Sequence, residues 1–460
     1  AVVVCPVALA QSAEAEAQET DAATTAAGEA AATGAAADTS GAAADTSGAA
    51  ADTSGVDCSH HVDCDEVTDP ALHRRSGKSY WGIGKKKQPP DWEVLEKCET
   101  QFELAYCGMA DNWEVNMFLG MVKAEFEKFE CVARYFDQAL ALTDDDGDLE
   151  KIRDNRGHYW VEQYNEALNL FNEGAFALAA DYAENAILID PHDCRGYGML
   201  GSCYANDAKY EEAIYELEKG LEICPEKDTI LENLFISYYK RGEQVLNQGS
   251  GEEDAREAVS FFQKADALRD DDVNNLYYYQ IALLRLVEYG DSTVVDTARH
   301  VIRRFGDLAE SRDDRLTVQW NLATLESEVG NNEAAEAAAR EYIALKPDDP
   351  LGYQILSRIL IDLGKAGEAE SCIIMTYCLN ADPVADVAAW CQEAPDTFGA
   401  ASDLAKTIGS TGCPDEARIH TDSTGNQMAV MIYADAGKAF AYYAGEQKGE
   451  YPFSRDQSEQ

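Results

Sequence analysis

The chain has 460 residues, of which 85 are acidic and 37 are basic, and its formal net charge is −48. An apolar content of 46% is ordinary for a globular protein, so the chain can bury a large core. The excess of acids argues against a nucleic-acid partner, because phosphates would be repelled by this surface. Two interpretations of the charge remain, namely solvation of helix surfaces and contact with basic partners.

The chain begins with ten apolar residues, AVVVCPVALA, which are too few to span a bilayer that needs about 20. Ala8 and Ala10 form the small-x-small pattern of a signal-peptide cleavage site, so residues 1–10 are interpreted as the remnant of a signal peptide. A lipid anchor at Cys5 is disfavoured, because Val4 stands where a small residue is usual. The sequence therefore predicts an exported protein, periplasmic or extracellular, without a transmembrane segment.

Residues 11–57 are low in complexity and consist mainly of Ala, Gly, Thr, Ser, Asp and Glu, with GAAADTS at 34–40 and again at 41–47. Small residues cannot repay the entropy of ordering, so a disordered tether is predicted. An Ala-rich helix is the competing interpretation, but a Gly every seven residues opposes it.

Residues 58–90 form a Cys/His and basic segment. Cys58, His60, His61 and Cys64 lie within seven residues, but tetrahedral zinc sites usually use two separated ligand pairs. Export also favours oxidised cysteines, so Cys58 and Cys64 are disulfide candidates and no metal is predicted. The 13 cysteines leave an even number when Cys5 is set aside, as expected of an exported disulfide protein.

No acid occurs from Ala71 to Pro90, whereas six basic residues do: Arg74, Arg75, Lys78, Lys85, Lys86 and Lys87. As a disordered segment, this stretch could bind an anionic surface such as membrane headgroups, lipopolysaccharide or nucleic acid. It could also dock onto the acidic helices that follow, and the net charge favours this second hypothesis.

From Trp92 to about Pro383 the hydrophobic pattern predicts almost continuous helix. The clearest stretch begins at Cys194, where apolar, small and Pro residues recur at the offsets of one 34-residue helix–turn–helix unit: Tyr197, Leu200, Gly201, Tyr204, Ala213 and Pro225. Seven such units are predicted, with starts near Trp113, Trp160, Cys194, Asp228, Val273, Leu316 and Pro350.

This pattern resembles the tetratricopeptide repeat family, in an exported bacterial form, over residues 91–383. The resemblance implies an all-α, right-handed superhelical solenoid of antiparallel helix pairs. Helix packing accounts for the residue types in this pattern. Small residues at the eighth and twentieth positions let two helices approach closely, and Pro ends the second helix. Cys194 begins a first helix and Cys224 ends its mate, so a Cys194–Cys224 disulfide is predicted. Cys372 and Cys378 lie on one helix and should not pair with each other.

After Pro383 the pattern fades. Residues 384–415 are predicted to be a helical cap, and residues 416–460 a small β-hairpin and tail. Bulky residues alternate around Asp435-Ala436-Gly437, which favours the hairpin over a helix. Such a hairpin would also cover the apolar end of the stack.

No HExxH, GxSxG or CxxCH motif occurs, so neither an enzyme nor a cofactor is predicted. The resemblance implies instead a concave groove lined by the second, fifth, ninth and twelfth positions of each first helix. Those positions select Tyr164, Arg195, Ser202, Tyr239, Tyr277, Trp320, Thr324, Gln354 and Arg358. The predicted function is a non-enzymatic scaffold that binds a peptide or partner protein in this groove. The alternative is a structural surface or matrix component that self-assembles.

Overall fold

The computed structural model describes residues 58, 62–308 and 310–453. These residues belong to two compact units, unit 1 up to Asn233 and unit 2 from Leu234. No helix in these ranges combines the length and the apolar character that a bilayer crossing requires. The predicted signal-peptide remnant 1–10 and tether 11–57 lie outside the described residues, as do His60 and His61.

Unit 1 consists of helices preceded by a short 3₁₀ turn at Cys64–Glu66. Its helices are α1 (Pro70–Gly84), α2 (Trp92–Met109), α3 (Trp113–Glu125), α4 (Phe129–Ala141), α5 (Asp146–Asn172), α6 (Phe176–Ile189), α7 (Cys194–Asn206) and α8 (Tyr210–Ile223). Helix α9 (Asp228–Gln248) crosses the boundary between the units.

Unit 2 continues the helices and ends in a sheet. Its helices are α10 (Glu252–Leu268), α11 (Val273–Glu288), α12 (Val295–Leu308), α13 (Arg312–Glu328), α14 (Asn332–Leu345), α15 (Pro350–Asp362), α16 (Ala366–Leu379), α17 (Val387–Phe398) and α18 (Asp403–Thr411). Its strands are β1 (Glu416–Thr421), β2 (Gln427–Tyr433), β3 (Lys438–Tyr443) and β4 (Glu446–Pro452).

The helix boundaries follow from capping chemistry in the sequence. The carboxylates of Asp193 and Asp349 and the amide of Asn112 accept hydrogen bonds from backbone N–H groups in the first turns of α7, α15 and α3. Gly174 and Gly330 follow the ends of α5 and α13 with φ of 78° and 76°, a conformation that favours Gly. These local signals divide the chain into separate helices, from the 9 residues of α18 to the 27 residues of α5.

Successive helices pack as pairs, α3 with α4, α5 with α6 and α7 with α8, and the same order continues in unit 2 with α11/α12, α13/α14 and α15/α16. Gly120 and Gly201 occupy the eighth position of their helices, where an added Cβ would lie 2.9 Å from Phe136 and 2.4 Å from Leu217. The absence of a side chain there is what permits the close approach. The prediction of an all-α helical-repeat solenoid is confirmed.

The basic segment is more ordered than the sequence analysis predicted. Residues 70–84 form α1, which packs against α2 and makes a further helix pair ahead of the predicted start at residue 91. Gly77 is the eighth residue of α1, and a Cβ there would lie 2.9 Å from Phe102. Gly77 is therefore equivalent to Gly120 and Gly201. This signal was present in the sequence, but the run of positive charges led to a different interpretation of the segment.

This role of Gly77 can be tested against a second glycine of the same helix. Gly77→Ala should lower the free energy of unfolding by about 1–3 kcal/mol, because its Cβ would crowd the Phe102 ring. Gly82→Ala should instead raise it by about 0.5–1 kcal/mol, because nothing lies within 4 Å and Ala favours the helix. Urea denaturation measures both, and equal effects would contradict the pairing of α1 with α2.

The C-terminal region is larger than the predicted hairpin. The four strands form an antiparallel sheet in the order β1-β2-β3-β4, and the hairpin turn at 434–437 joins β2 to β3. Val430 and Ile432 face α16 in the core at the end of the repeats, whereas Met431 and Tyr433 face α17 and α18. The sheet therefore covers the last helix pair. The predicted helical cap, residues 384–415, instead covers the opposite face of the sheet.

Candidate functional site

Four disulfides join cysteines of the described residues. Cys194 and Cys224, the predicted pair, are bonded with a Cα–Cα distance of 6.0 Å. The other two candidates bond to helices rather than to each other, in the pairs Cys58–Cys131 and Cys64–Cys107, and a fourth bond is Cys391–Cys413. The segment around the predicted Cys/His cluster is thus anchored to α4 and α2.

The remaining cysteines of the described residues are thiols: Cys98, Cys203, Cys372 and Cys378. Burial raises the pKa of Cys98, Cys203 and Cys378 to about 12 and that of Cys372 to about 11. These thiols are therefore protonated at neutral pH and chemically unreactive. The even cysteine count thus does not correspond to complete pairing.

Unit 1 brings three of the predicted groove residues onto one surface, here called the inner face of unit 1 and built from α5, α7 and the first turns of α9. The Arg195 guanidinium lies over the Trp160 ring, 4.2 Å from its centroid. Tyr164 stacks on the same Trp160 ring with a centroid distance of 4.7 Å and an angle of 14°. Arg195 Nη2 donates a hydrogen bond to Asp193 Oδ2 at 2.6 Å, and this hydrogen bond raises the pKa of the arginine.

Ser202 extends the inner face toward α9. Its hydroxyl donates to the Gly198 carbonyl oxygen at 2.7 Å and accepts a hydrogen bond from Asn233 Nδ2 at 2.7 Å. Asn233 and Trp160 were missed as site residues; Trp160 was identified only as the start of a repeat. Trp160 is only 4% exposed and supports this face from below, so the groups that a ligand could reach are Arg195, Tyr164 and Ser202. Arginine and tyrosine are typical anchors for a bound chain.

In unit 2 the predicted groove residues have different surroundings. Tyr239 and Tyr277 are half-buried against Tyr278, with centroid distances of 5.9 and 5.2 Å, and they contribute to a hydrophobic core. Thr324 is only 5% exposed, so it presents no surface to a ligand. Tyr239 and Tyr277 therefore present only part of their surface to solvent, because periodic aromatic side chains fill the space between helix pairs.

The other three residues predicted in unit 2 lie nearer to solvent. Trp320 is half-buried against Tyr342, with a centroid distance of 5.6 Å. Gln354 and Arg358 are exposed on successive turns of α15. Arg358 approaches Ser327 Oγ at 3.4 Å and Glu328 Oε1 at 3.8 Å, so α13 and α15 present adjacent surfaces.

The basic residues of α1 mostly pair within unit 1. Arg74 and Lys78 lie 3.2 and 2.6 Å from Glu114, and Lys85 lies 2.6 Å from Glu125. Both acceptors belong to α3, so this is the internal docking onto acidic helices that the net charge favoured. This docking leaves less positive charge on α1 for an external anionic surface.

The stacked helix pairs define a helical-repeat protein. Residues 195–227 match the family described as tetratricopeptide repeat, so the chain contains a repeat of this family. The matched residues cover α7 and α8, the unit with the clearest spacing.

The chain is also similar to several known proteins. It is 32% identical over 85 residues to the PEX5-related protein of Homo sapiens, which covers 18% of this chain and 14% of that protein. YrrB, a TPR protein with an unusual peptide-binding site, is 18% identical, with a TM-score of 0.31 over 45% of this chain and 95% of that one. The C-terminal part of a TPR repeat-containing protein from Cytophaga hutchinsonii is 14% identical, with a TM-score of 0.31 over 61% and 99%.

Proposed function

We propose that this protein is an exported, non-enzymatic scaffold that holds a peptide or partner protein against the inner face of unit 1. The observation that carries the proposal is the grouping of Arg195, Trp160 and Tyr164 beside the Ser202–Asn233 hydrogen bond. Aromatic and arginine side chains dominate binding energy at protein interfaces. The Arg195 side chain is 53% exposed, so a partner can reach it.

The disulfides support the exported location. Disulfide bonds persist in the periplasm and outside the cell, whereas cytoplasmic thiols are kept reduced. Four bonds within the described residues, together with the apolar leader and its small-x-small pattern, favour an oxidising compartment.

The location can be tested by fractionation and thiol counting. The protein should occur in the periplasm or the medium, and its denatured form should show four reactive thiols from the described residues before reduction. Reduction should release the eight further thiols of the four disulfides. Recovery from the cytoplasm with every thiol reactive would contradict the proposal.

The binding role can be tested with the partner that co-purifies from that compartment. Arg195→Ala should raise the dissociation constant of the complex with this partner at least about tenfold, because it removes the cation over Trp160. Arg256→Ala is the matched control, since Arg256 in unit 2 is similarly exposed, at 54%, and also paired with a carboxylate. Its effect should be less than about twofold, as for surface ion pairs. Self-polymerisation without a discrete partner would favour the structural alternative instead.

A further inference from the structure

Asp193 occupies the two positive features that the inner face of unit 1 could offer to a carboxylate, the start of α7 and one edge of the Arg195 guanidinium. Its Oδ1 accepts hydrogen bonds from the Arg195 backbone N–H at 2.9 Å and from Arg195 Nε at 3.0 Å. Its Oδ2 accepts a hydrogen bond from Arg195 Nη2 at 2.6 Å. Helix amino ends and guanidinium edges are common binding places for carboxylates. A carboxylate of the chain itself therefore fills the position that a carboxylate of a partner would take.

Arg195 keeps other donors for a ligand. In the part of the chain that the structure describes, its Nη1 makes no hydrogen bond or ion pair. The Trp160 ring supports the guanidinium, and the Arg195 side chain is exposed beyond it. Because Asp193 already balances the charge, Nη1 suits a neutral acceptor, such as a main-chain carbonyl oxygen of the partner, better than a second carboxylate.

The charge of the surrounding helices also disfavours an acidic partner. Residues 160–206 include seven acids, and Arg195 is the one Arg or Lys among them. Glu162 and Glu166 are exposed on α5, each two residues from Tyr164, and neither has an ion pair among the described residues. Like charges brought together at an interface cost affinity, whereas opposite charges favour association. The inner face of unit 1 therefore favours Lys or Arg in its partner.

Val161 adds apolar surface beside these acids. It precedes Glu162 on α5 and is 46% exposed, and the half-buried Tyr164 ring lies one turn further along the helix. An exposed apolar patch next to carboxylates suits a segment in which apolar and basic residues occur together.

We propose that the inner face of unit 1 selects an internal segment of its partner that lacks carboxylates and combines apolar residues with Lys or Arg, and that Asp193 determines this selection. The inference rests on the proposed function, because it names the class of partner that the same face binds. Arg195 donates from Nη1 to a main-chain carbonyl oxygen. Glu162 and Glu166 attract the basic side chains, and Val161 contacts an apolar one.

The charge preference can be tested by selecting peptides on the full chain. The probe is a phage library of random peptides of about seven residues, long enough when extended to cross two packed helices. Each peptide lies between glycine linkers inside a coat protein, so it has no free carboxyl terminus. Selected peptides should be poor in Asp and Glu and rich in Lys or Arg. Enrichment of acidic peptides, or equal enrichment of both classes, would overturn the proposal.

Affinity measurements then show whether Asp193 sets the preference. The most enriched peptide is compared by fluorescence anisotropy with a peptide in which its basic residue is replaced by Glu, both with blocked ends. The wild-type protein should bind the basic peptide at least about tenfold more tightly. Asp193→Asn should lower this ratio at least about fivefold, because Arg195 then becomes available to a carboxylate. An unchanged ratio would overturn the proposal.

Asp145→Asn is the matched control. Asp145 caps α5 through its side chain as Asp193 caps α7, and the substitution changes the net charge equally. Asn caps helices as well as Asp does, so both variants keep their caps. Asp145→Asn should change the ratio of affinities less than about twofold. Equal effects of the two substitutions would show nonspecific attraction and overturn the proposal.

Arg195→Ala separates this inference from the proposed function. It should weaken binding of the selected peptides at least about tenfold. Acidic selected peptides that depend on Arg195 would overturn the inference and leave the proposed function standing. Selected peptides that bind Arg195→Ala as tightly as the wild-type protein, or a selection without enrichment, would contradict both.

Discussion

Lys123→Met is expected to lower the free energy of unfolding by about 3–5 kcal/mol, the largest effect of any single substitution considered. Lys123 is only 3% exposed, and its ammonium lies 2.8 Å from Glu103 and 2.7 Å from Glu99. Glu103 is itself 3% exposed. Removing the lysine takes this cation from the buried Glu103 carboxylate, while Glu99 keeps its contact with Lys128. The loss at Glu103 far exceeds the apolar gain from methionine.

The pKa values agree with this arrangement. Burial alone would lower the pKa of Lys123, but the hydrogen bonds and charges of Glu103 and Glu99 hold it above its ordinary value. Burial likewise opposes ionisation of Glu99, yet Lys123 and Lys128 hold its pKa below the ordinary 4.5. The stability that ionised Glu99 contributes is therefore present above that pH and is lost as the pH falls through its lowered pKa.

Urea denaturation at neutral pH and at about pH 4 tests this prediction. The deficit of Lys123→Met should shrink at the lower pH, because protonation of Glu99 removes part of the uncompensated charge. Lys128→Met is the control: its ammonium also contacts Glu99, at 2.9 Å, but its side chain is 45% exposed. Its cost should be at most about 1 kcal/mol. A small effect of Lys123→Met at neutral pH would contradict the buried ion cluster.

Loss of the Cys194–Cys224 disulfide is expected to cost about 3–4 kcal/mol, the second largest effect. The bond closes a loop with a sequence separation of 30 residues, and its removal restores chain entropy to the unfolded state. It joins the start of α7 to the residue that follows α8, so it also fixes the pair that carries Arg195.

The measurement compares the unfolding midpoint of Cys194→Ser/Cys224→Ser with that of the oxidised wild-type protein. Cys194→Ser and Cys224→Ser should each cost nearly as much as the double substitution, because either one breaks the same bond. Additive single effects would contradict the bond, as would a double variant with unchanged stability. The affinity of the double variant for the partner then shows whether the Cys194–Cys224 disulfide also positions Arg195.

Local sequence signals predicted the repeats well. The small residue at Gly201, the capping residue at Asp193 and the spacing of Cys194 from Cys224 act within one helix pair, so sequence distance determines their geometry. The same argument applied to Gly77 would have revealed α1. A run of six positive charges suggested disorder there, because the carboxylates that neutralise α1 belong to another helix, α3.

The binding residues were less predictable than the helices. A rule of position within the repeat selected Tyr164, Arg195 and Ser202, which lie close together. It also selected Tyr239 and Tyr277, which are half-buried against a core, and Thr324, which is buried. The rule describes which way a helix position points in a regular stack. The rule does not describe how the side chains of the neighbouring helix pair fill the space beside that position. This packing depends on side chains about 30 to 40 residues away in the sequence.

By itself, the sequence determined the repeat architecture, the helix boundaries and the Cys194–Cys224 bond, because each depends on residues within one 34-residue unit. The tertiary structure alone decided the partners of Cys58 and Cys64, the pairing of α1 with α2, and the four-stranded sheet. Strands β1 and β4, which the hairpin prediction did not include, show the physical reason. Their sequences, EARIHT and EQKGEYP, are largely polar, and each strand is held by its pairing with β2 or β3.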